Sequence, residues 1–259
     1  MQREELFEKA RLGVREAFIQ RDRILIHTIS AIDELAKTNN LLYERLAEWF
    51  KIYFPEMRAD EPEKYCALVE IVDKERFDVG RVAQIVGEAK ARELEAKARM
   101  SLGIDLQNKD LEEIRLFASR LRAHYELRRQ LEGYLESLAR EVCPNLTHLL
   151  GAPLAAKLIA QAGGLSRLAT LPASTVQILG AEKALFKHLR AKTKPPKHGL
   201  LFQHPLISTA PKKQRGKIAR ALAAKVAIAA KADAFTKHFI AEKLKVEFES
   251  RVKAIRGGG

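Results

Sequence analysis

The chain of 259 residues is poor in cysteine and has no long apolar segment. Its two cysteines, Cys66 and Cys143, are too few for a disulfide framework, and their spacing matches no metal site. No apolar run is long enough to cross a bilayer, and the first ten residues, MQREELFEKA, lack the apolar core of a secretory signal peptide. We therefore expect a protein of the reducing cytoplasm without a membrane partner.

The sequence also lacks the motifs that mark common enzymes. It contains no glycine-rich phosphate loop, no dinucleotide fingerprint, no His-Glu-x-x-His, no Cys-x-x-Cys and no Gly-x-Ser-x-Gly. The seven histidines are scattered, with no pair at metal-ligand spacing near a carboxylate. These absences predict a chain with no catalytic residues, no metal and no cofactor of its own.

Positive charge is in excess, and all of the excess lies in the C-terminal part. Residues 1–144 hold 25 Lys and Arg against 28 Asp and Glu, a net charge of −3, whereas residues 145–259 hold 21 against 5, a net charge of +16. A charge that served only solubility would spread over both parts. The asymmetry indicates a polyanionic partner, because neutralising phosphates releases condensed counterions.

Apolar residues recur every three or four positions along the chain, and no stretch alternates with period two, so we predict an all-α fold. Long helices are predicted over residues 3–54, 78–102, 109–142 and 213–252, with short helical phrases between 145 and 191. Pro144 marks a boundary in both conformation and charge. The predicted segments are N-terminal helices (1–77), a coiled-coil arm (78–143) and a C-terminal helical domain (144–259).

The helix over 109–142 carries an apolar seam and contains no proline. More than thirty helical residues extend roughly 50 Å, which exceeds the need of a compact domain. We interpret the helix as a coiled-coil arm that forms a homodimer, with the helix over 78–102 as its antiparallel neighbour. Two ordinary helices of a globular bundle are the alternative. The seam consists of Leu111, Ile114, Ala118, Leu121, Tyr125, Leu131 and Leu138.

A basic stripe is predicted in residues 180–199, GAEKALFKHLRAKTKPPKHG. On a helix its four cations fall on one face, while Leu185 and Leu189 fall on faces where they can pack. Like charges at this spacing repel by a few tenths of a kcal/mol per pair. A solvated face would interleave acids, yet the one acid, Glu182, points away, so the stripe favours an anionic partner. The stripe consists of Lys183, Lys187, Arg190 and Lys194.

The alanine-rich helix from residue 213 repeats this design, and a proline-stiffened loop between the two elements presents Lys197 and His198. His198 could stack on a base or hydrogen-bond a phosphate; a histidine that merely caps a helix is the alternative. The residues predicted to contact a nucleic acid are Lys183, Lys187, Arg190, Lys192, Lys194, Lys197, His198, Lys213, Arg215, Lys217, Arg220 and Lys231.

Three phrases of the C-terminal part resemble the Nop domain in nearly continuous form. They are LTHLLGAPLAAKLIAQAGGLSRLATLPASTVQILGAEKALFKHL, PPKHGLLFQHPLI and RGKIARALAAKVAIAAKADAF. The stretches RDRILIHTISAIDELAKTNNLLYERLAEWFKIYFPEM and SLGIDLQNKDLEEIRLFASRL are similar to the helical segments that precede that domain. The resemblance covers residues from about 20 to 255 and is nearest to the archaeal members of the Nop family.

The resemblance implies a non-catalytic scaffold of a box C/D small ribonucleoprotein. Members of the family bind the guide RNA together with a kink-turn-binding protein of ribosomal type, and they dimerise through the coiled coil. They also carry a fibrillarin-like methyltransferase. That enzyme binds S-adenosylmethionine and methylates ribose 2′-hydroxyls, so the resemblance implies no cofactor for this chain.

The chain departs from the family at its N-terminus. In the family an α/β domain that docks the methyltransferase precedes the RDRILIHTI helix, but only about 20 residues precede it here. We therefore expect that domain to be missing or shortened, and residues 1–60 to supply the dock.

Two other functions fit the composition. A general nucleic-acid-coating or DNA-packaging protein would be basic and alanine-rich in the same way, but it would need no partner protein. An unrecognised RNA-modifying enzyme would show turnover by the isolated chain, with S-adenosylmethionine as the first cofactor to test.

Overall fold

The computed structural model describes residues 21–191 and 194–257, in which all regular secondary structure is helical. The all-α prediction is confirmed. The α-helices are α1 (Arg21–Phe50), α2 (Pro62–Ile71), α3 (Val79–Val86), α4 (Glu88–Arg99), α5 (Asn108–Val142), α6 (Pro144–Leu150), α7 (Ala152–Ala162), α8 (Leu165–Thr170), α9 (Ala173–Ile178), α10 (Glu182–Ala191), α11 (Pro205–Ser208), α12 (Arg215–Lys231) and α13 (Ala241–Gly257). None of these helices is long and apolar enough to span a membrane. The predicted helix over residues 3–20 lies outside the described residues.

The chain forms two compact units. One unit is Ile32–Glu132, and the other joins residues 21–31 with the described chain from Gly133 onward. The helices α1 and α5 each contribute residues to both units. The units therefore do not follow the predicted segments 1–77, 78–143 and 144–259.

The unit Ile32–Glu132 is built around a buried apolar cluster that includes Phe50, the last residue of α1, and Phe54 in the turn that follows. The first half of α5 joins this cluster: the rings of Trp49 and Phe117 meet edge to face at 6.2 Å, and Arg122 Nε lies 2.7 Å from Glu70 Oε1 on α2. Five residues of the predicted dimer seam are buried here, namely Leu111, Ile114, Ala118, Leu121 and Tyr125.

The seam therefore packs within its own chain. Leu138 is buried in the other unit, and Leu131 is half-buried. Apolar seam residues that fill the core of one chain are not available to a second copy while that chain stays folded. These five residues therefore lie in the core of the chain, and a contact with a second copy would need other, exposed residues.

The predicted helix over residues 78–102 is instead two helices, α3 and α4. Gly87 separates them with φ of 83°, a left-handed value that glycine adopts without steric cost. Asp78 caps α3, because its side chain accepts a hydrogen bond from the backbone N–H of Arg81 at 3.0 Å. A break of this kind does not disturb the three-to-four spacing of apolar residues, which is why periodicity predicted one helix.

The second unit, which we call the C-terminal unit because most of it follows Gly133, is organised around α12, whose apolar face is buried as predicted. Ile218, Leu222 and Val226 are fully buried, and so are several alanines of the same helix. Small side chains let the neighbouring helices approach α12 closely. The opposite face of α12 is exposed and takes no part in this packing.

The predicted helix over 213–252 is also interrupted. After α12 the chain makes a π-helical turn, Ala232–Thr236, and Lys237 adopts a left-handed φ of 59° before α13 begins at Ala241. The cause lies in a buried polar network. Asp233 is 1% exposed, and its carboxylate accepts three hydrogen bonds from Asn145 and Leu146 at the start of α6.

The network is completed by Asn145, which is fully buried. Its side-chain Nδ2 donates to Asp233 Oδ1 at 2.8 Å and to the carbonyl of His238 at 2.9 Å, and its Oδ1 accepts from the N–H of Ile240 at 2.7 Å. Burial raises the pKa of Asp233 above its usual value, although the hydrogen bonds from Leu146 and Asn145 oppose this. Every polar atom of the Asn145 side chain is thus satisfied, as a buried amide requires.

Replacing Asp233 by Asn tests this network. We expect Asp233→Asn to lower the free energy of unfolding by about 2–3 kcal/mol, because an amide would turn a donor toward the N–H groups of α6 and leave a buried donor unpaired. Urea denaturation followed by circular dichroism measures the change. The matched control is Asp60→Asn on the surface, for which we expect a change below about 0.5 kcal/mol. Equal changes in the two variants would contradict the role of Asp233.

Candidate nucleic-acid interface

An open groove of about 670 Å³ lies between α12, α13 and the loop that follows α10. Its charged lining residues are all cationic: Lys197, Lys213, Lys217, Arg220 and Arg251. No acid lines the groove, so its positive charges are not neutralised from within the groove. An arrangement of this kind attracts anionic groups, phosphates above all.

Four of these five residues are among those predicted from the sequence, and the structure brings them together. Arg251 was missed. It lies on α13, where Glu247 and Glu249 alternate with the cations, so the sequence shows no one-sided stripe. Its place at the groove depends on the pairing of α12 with α13, which the contact between Lys225 Nζ and Glu247 Oε2 helps to fix.

The proline loop is fastened to the segment that precedes α10. The N–H of Gly199 donates to the carbonyl of Gln177 at 2.9 Å, and the N–H of Leu200 donates to that of Leu179 at 2.8 Å. The side-chain Nε2 of Gln177 also donates to the carbonyl of Lys197 at 2.7 Å. We call these three hydrogen bonds the Gly199 clamp. A Cβ on Gly199 would lie 2.0 Å from the carbonyl oxygen of Leu179, so only glycine permits this approach.

His198 and Arg215 are used in building the loop. The imidazole of His198 stacks on Phe202 with ring centroids 4.6 Å apart and an interplanar angle of 17°. Burial, and then the nearby charge of Arg215, lower the pKa of His198, which favours the neutral ring. The stacking partner of His198 in the structure is a side chain of the same chain, and its predicted contact with a base or a phosphate stays a prediction.

Arg215 does not line the groove. Its Nε donates to the carbonyl of Ala210 at 2.8 Å, one terminal nitrogen donates to that of Ser208 at 3.1 Å, and the guanidinium carbon lies 5.2 Å from the Phe202 ring centroid. Its place therefore favours a supporting role, in which it holds α11 against the start of α12, over the predicted contact with RNA.

The helix α10 displays the predicted stripe in part. Lys183, Lys187 and Arg190 are exposed on it, but the helix ends at Ala191, so Lys194 lies beyond it in the loop. Lys192 lies outside the described residues. Glu182 points away from the stripe, and its Oε1 accepts from the N–H of Gly180 at 2.8 Å.

The apolar residues of α10 differ from the prediction. We expected Leu185 and Leu189 to pack, yet Leu189 is 67% exposed, Phe186 is 59% exposed, and no residue of α10 is buried. The helix therefore presents cations and large apolar side chains together. An exposed patch of this composition is typical of a surface that contacts another macromolecule.

Lys231 is exposed at the C-terminal end of α12, away from the groove. It follows Arg220 by eleven residues, which places it about 16 Å further along the helix. Lys231 is therefore separated from the other predicted cations of α12.

The described residues offer no other centre of reactive groups. Among them no group of three His, Cys, Asp or Glu residues could hold a metal ion. Cys66 and Cys143 are buried and free, and burial raises the pKa of both thiols to about 12. Neither thiol is a nucleophile near neutral pH.

Comparison with known proteins gives a consistent family match. The family model named Nop, described as "snoRNA binding domain, fibrillarin", matches residues 31–254. An uncharacterised NOP5 family protein of Methanocaldococcus jannaschii is 46% identical over 240 residues, which are 92% of this chain and 58% of that protein. Nucleolar protein 56 of Homo sapiens is 37% identical over 247 residues, 92% of this chain and 42% of that protein. The chain thus spans about half the length of these relatives.

A solved structure is similar in fold. The crystal structure of a fibrillarin/Nop5p complex contains a chain with a TM-score of 0.58 and 27% sequence identity to this one. The match covers 97% of this chain and 78% of that chain.

The Gly199 clamp can be tested by stability. We expect Gly199→Ala to lower the free energy of unfolding by about 2 kcal/mol, because the new Cβ must displace the Leu179 carbonyl and break two backbone hydrogen bonds. The control is Gly133→Ala, since nothing lies within 4 Å of a Cβ at that helical position. That substitution should raise the free energy of unfolding by about 0.5–1 kcal/mol. Urea denaturation of both variants measures the two changes. An unchanged free energy of unfolding in Gly199→Ala would contradict the stabilising role of the Gly199 clamp.

Proposed function

Because the chain belongs to the Nop family, whose model it matches over residues 31–254, we propose that it is a non-catalytic scaffold of a box C/D guide ribonucleoprotein of the archaeal type. In this role it binds the guide RNA and a kink-turn-binding protein, forms a homodimer and recruits a fibrillarin-like methyltransferase. The single observation that carries the proposal is the groove of five cations without an acid.

The groove suits the phosphate backbone of RNA. Its cations come from the loop after α10, the turn before α12, α12 itself and α13, so they surround a concave space instead of forming a flat patch. Lysine and arginine at such a surface neutralise phosphates and release counterions, whatever the base sequence. Specificity then has to come from RNA shape and from a partner protein that recognises it.

The exposed side chains of helix α10 also indicate that a partner protein takes part in binding. Phosphates need cations, which Lys183, Lys187 and Arg190 provide, but they have no use for Phe186 and Leu189 on the same helix. Large apolar side chains among cations fit a composite surface that is part RNA and part protein. We assign this surface to the complex of the kink-turn RNA with its binding protein.

The dimer contact is assigned to exposed apolar residues of the unit Ile32–Glu132. On α5 Leu116 is 49% exposed and Leu127 is 44% exposed, and eleven residues of helix return them to nearly the same face. The turn before α5 adds Met100, Leu102 and Ile104, which are 83%, 89% and 61% exposed. Burying such side chains against a second copy stabilises a dimer by the hydrophobic effect.

The methyltransferase dock is assigned to residues 1–60, of which the structure describes 21–60. The helix α1 exposes Leu41, 67% accessible, beside the exposed acid Glu44, which gives an apolar and acidic face. Removal of all 60 residues would destroy the core, because Leu46 and Phe50 are fully buried. The suitable test is Leu41→Glu in the full chain; unchanged co-purification with the methyltransferase would argue against this face.

A coating protein is the competing function. It shares the basic groove but needs neither the exposed apolar residues of α10 nor a kink-turn protein. An RNA-modifying enzyme has less support, since the described residues contain no metal cluster and both thiols are held protonated by burial.

Binding of kink-turn RNA, with and without its binding protein, tests the groove. We expect the variant Lys217→Ala, Arg220→Ala, Arg251→Ala to reduce the slope of log affinity against log salt by about three, roughly one for each lost phosphate contact. The control removes the same charge from α4, as Lys90→Ala, Arg92→Ala, Arg99→Ala, and should keep the wild-type slope. A groove variant with wild-type affinity and slope would refute RNA binding there.

The same titration separates the scaffold from the coating protein. The scaffold should bind the protein–RNA complex at least tenfold more tightly than the bare RNA, and Phe186→Ser, Leu189→Ser should remove that difference by losing an apolar contact. Equal affinity of the wild-type chain for bare RNA and for the complex would favour coating.

The dimer contact is tested by molecular mass. We expect Leu116→Glu, Leu127→Glu to give a folded monomer, because both residues are exposed and carry no core packing. Light scattering measures the mass, and circular dichroism confirms that helicity is retained. The control Leu41→Glu on α1 should leave the dimer intact. A dimeric double variant would show that the contact lies elsewhere.

A further inference from the structure

A row of exposed side chains runs along α12 from the groove to the end of the helix. Its members follow one another at steps of three or four residues, so they lie on one face. They are Lys217, Arg220, Ala224, Ile228, Lys231 and, in the π-helical turn, Phe235. The row begins in the basic groove and contains no acid. From Lys217 to Lys231 it extends about 21 Å.

The row ends at a turn of unusual composition. The residues Phe235–Phe239, with the sequence FTKHF, are all exposed, and we call them the aromatic turn. Phe235 is 61% exposed and Phe239 is 54% exposed. Lys237 and His238 lie between the two phenylalanines in the sequence, and Lys231 precedes Phe235 by four residues. Of the acids nearby, Asp233 is buried in hydrogen bonds to α6 and Glu242 is exposed on the first turn of α13. Asp22 and Glu141 line a pocket that Lys237 also lines, where Glu141 is paired with Arg21 and Asp22 accepts a hydrogen bond from the N–H of Leu165.

Hydrogen bonds and one ring contact hold the backbone of the aromatic turn in place. Lys237 is the one residue other than glycine with positive φ in the described part of the chain, and its N–H donates to the carbonyl of Ala232 at 2.7 Å. Asn145 holds the carbonyl of His238 and the N–H of Ile240. The ring of His148 contacts Phe239 edge to face at 5.7 Å. Backbone strain held in place by a buried network indicates a site where geometry matters.

We propose that the aromatic turn is a second RNA contact, at which Phe235 stacks on an unpaired base of an RNA whose backbone follows the row from the groove. The proposal rests on the proposed function, since it extends the RNA from the groove along α12. Aromatic rings present a face to any base, and cations nearby hold the adjoining phosphates. A protein partner is less suited to the row, because its exposed charges are of one sign at both ends.

Ala224 and Ile228 lie in the middle of the row. Small and uncharged side chains there let a nucleic-acid backbone pass close to the helix without a specific contact. Lys231 then meets a phosphate next to the stacked base. This place accounts for a cation that the groove does not use.

The test uses the full chain with the kink-turn protein and a kink-turn RNA that carries an unpaired 3′ extension. We expect Phe235→Ala and Phe235→Leu each to weaken binding about tenfold, since stacking of one base contributes a factor of roughly 5 to 150. Phe235→Trp should keep the wild-type affinity. None of the three should change the salt slope, because no charge is lost. The control is Val246→Ala, an apolar residue that is 67% exposed and lies off the row.

The outcomes are distinguishable. If Phe235→Leu binds like wild type and Phe235→Ala does not, the contact is apolar packing, and stacking is wrong. If Phe235→Ala keeps RNA affinity but weakens binding to the kink-turn protein without RNA, the turn docks protein. If Phe235 variants have no effect while the triple groove variant does, this inference fails and the proposed function stands; if neither has an effect, both fail.

A cross-link gives an independent readout. With 4-thiouridine in the extension of the RNA, irradiation should join it to the tryptic peptide Ala232–Lys237, which contains Phe235. The yield should fall in Phe235→Ala. Cross-links confined to peptides of the groove would place the extension elsewhere and overturn the proposal.

Discussion

The buried pairing of Asp233 with Asn145 is the interaction on which the C-terminal unit depends. One carboxylate satisfies the first N–H groups of α6, and one amide holds both ends of the turn between α12 and α13. They fix the point at which α12 stops at Lys231, since Asp233 stands where the buried apolar face of Val226 and Ala230 would continue. The relative placement of α12 and α13 follows from that stop, and with it the position of Arg251 opposite Lys217 and Arg220.

The groove depends on a second constraint, the close approach of two backbone segments at Gly199. The Gly199 clamp holds the backbone of Lys197 beside the groove. Phe202 packs against the His198 ring of the same loop, and Arg215 lies over the Phe202 ring. Because these supports are made within the protein, the cations are already gathered before an anion arrives. Binding then requires little ordering of the backbone around Lys197, which leaves more of the electrostatic attraction as affinity.

The sequence predicted the class of fold and four of the five groove cations, because helical periodicity and one-sided charge are local properties. It did not predict Arg251, because this cation lies between acids in the sequence, and only its neighbours in space place it in the groove. It also placed Leu111, Ile114 and Tyr125 at a dimer interface: an apolar seam has the same pattern whether it packs within one chain or between two. Gly87 interrupts a helix through a backbone angle, and Asp233 does so through long-range hydrogen bonds, neither of which can be deduced from the spacing of apolar residues.

The helix α10 has no buried residue, and its connection to the rest of the unit is closed by the Gly199 clamp. The stability of the core therefore depends little on the exposed side chains of α10, among them Phe186 and Leu189. Residues in a core can change only together with their neighbours, whereas these exposed residues can change one at a time. Selection on partner choice can act on this helix without first satisfying selection for folding, so the unit separates the part that must persist from the part that can diversify.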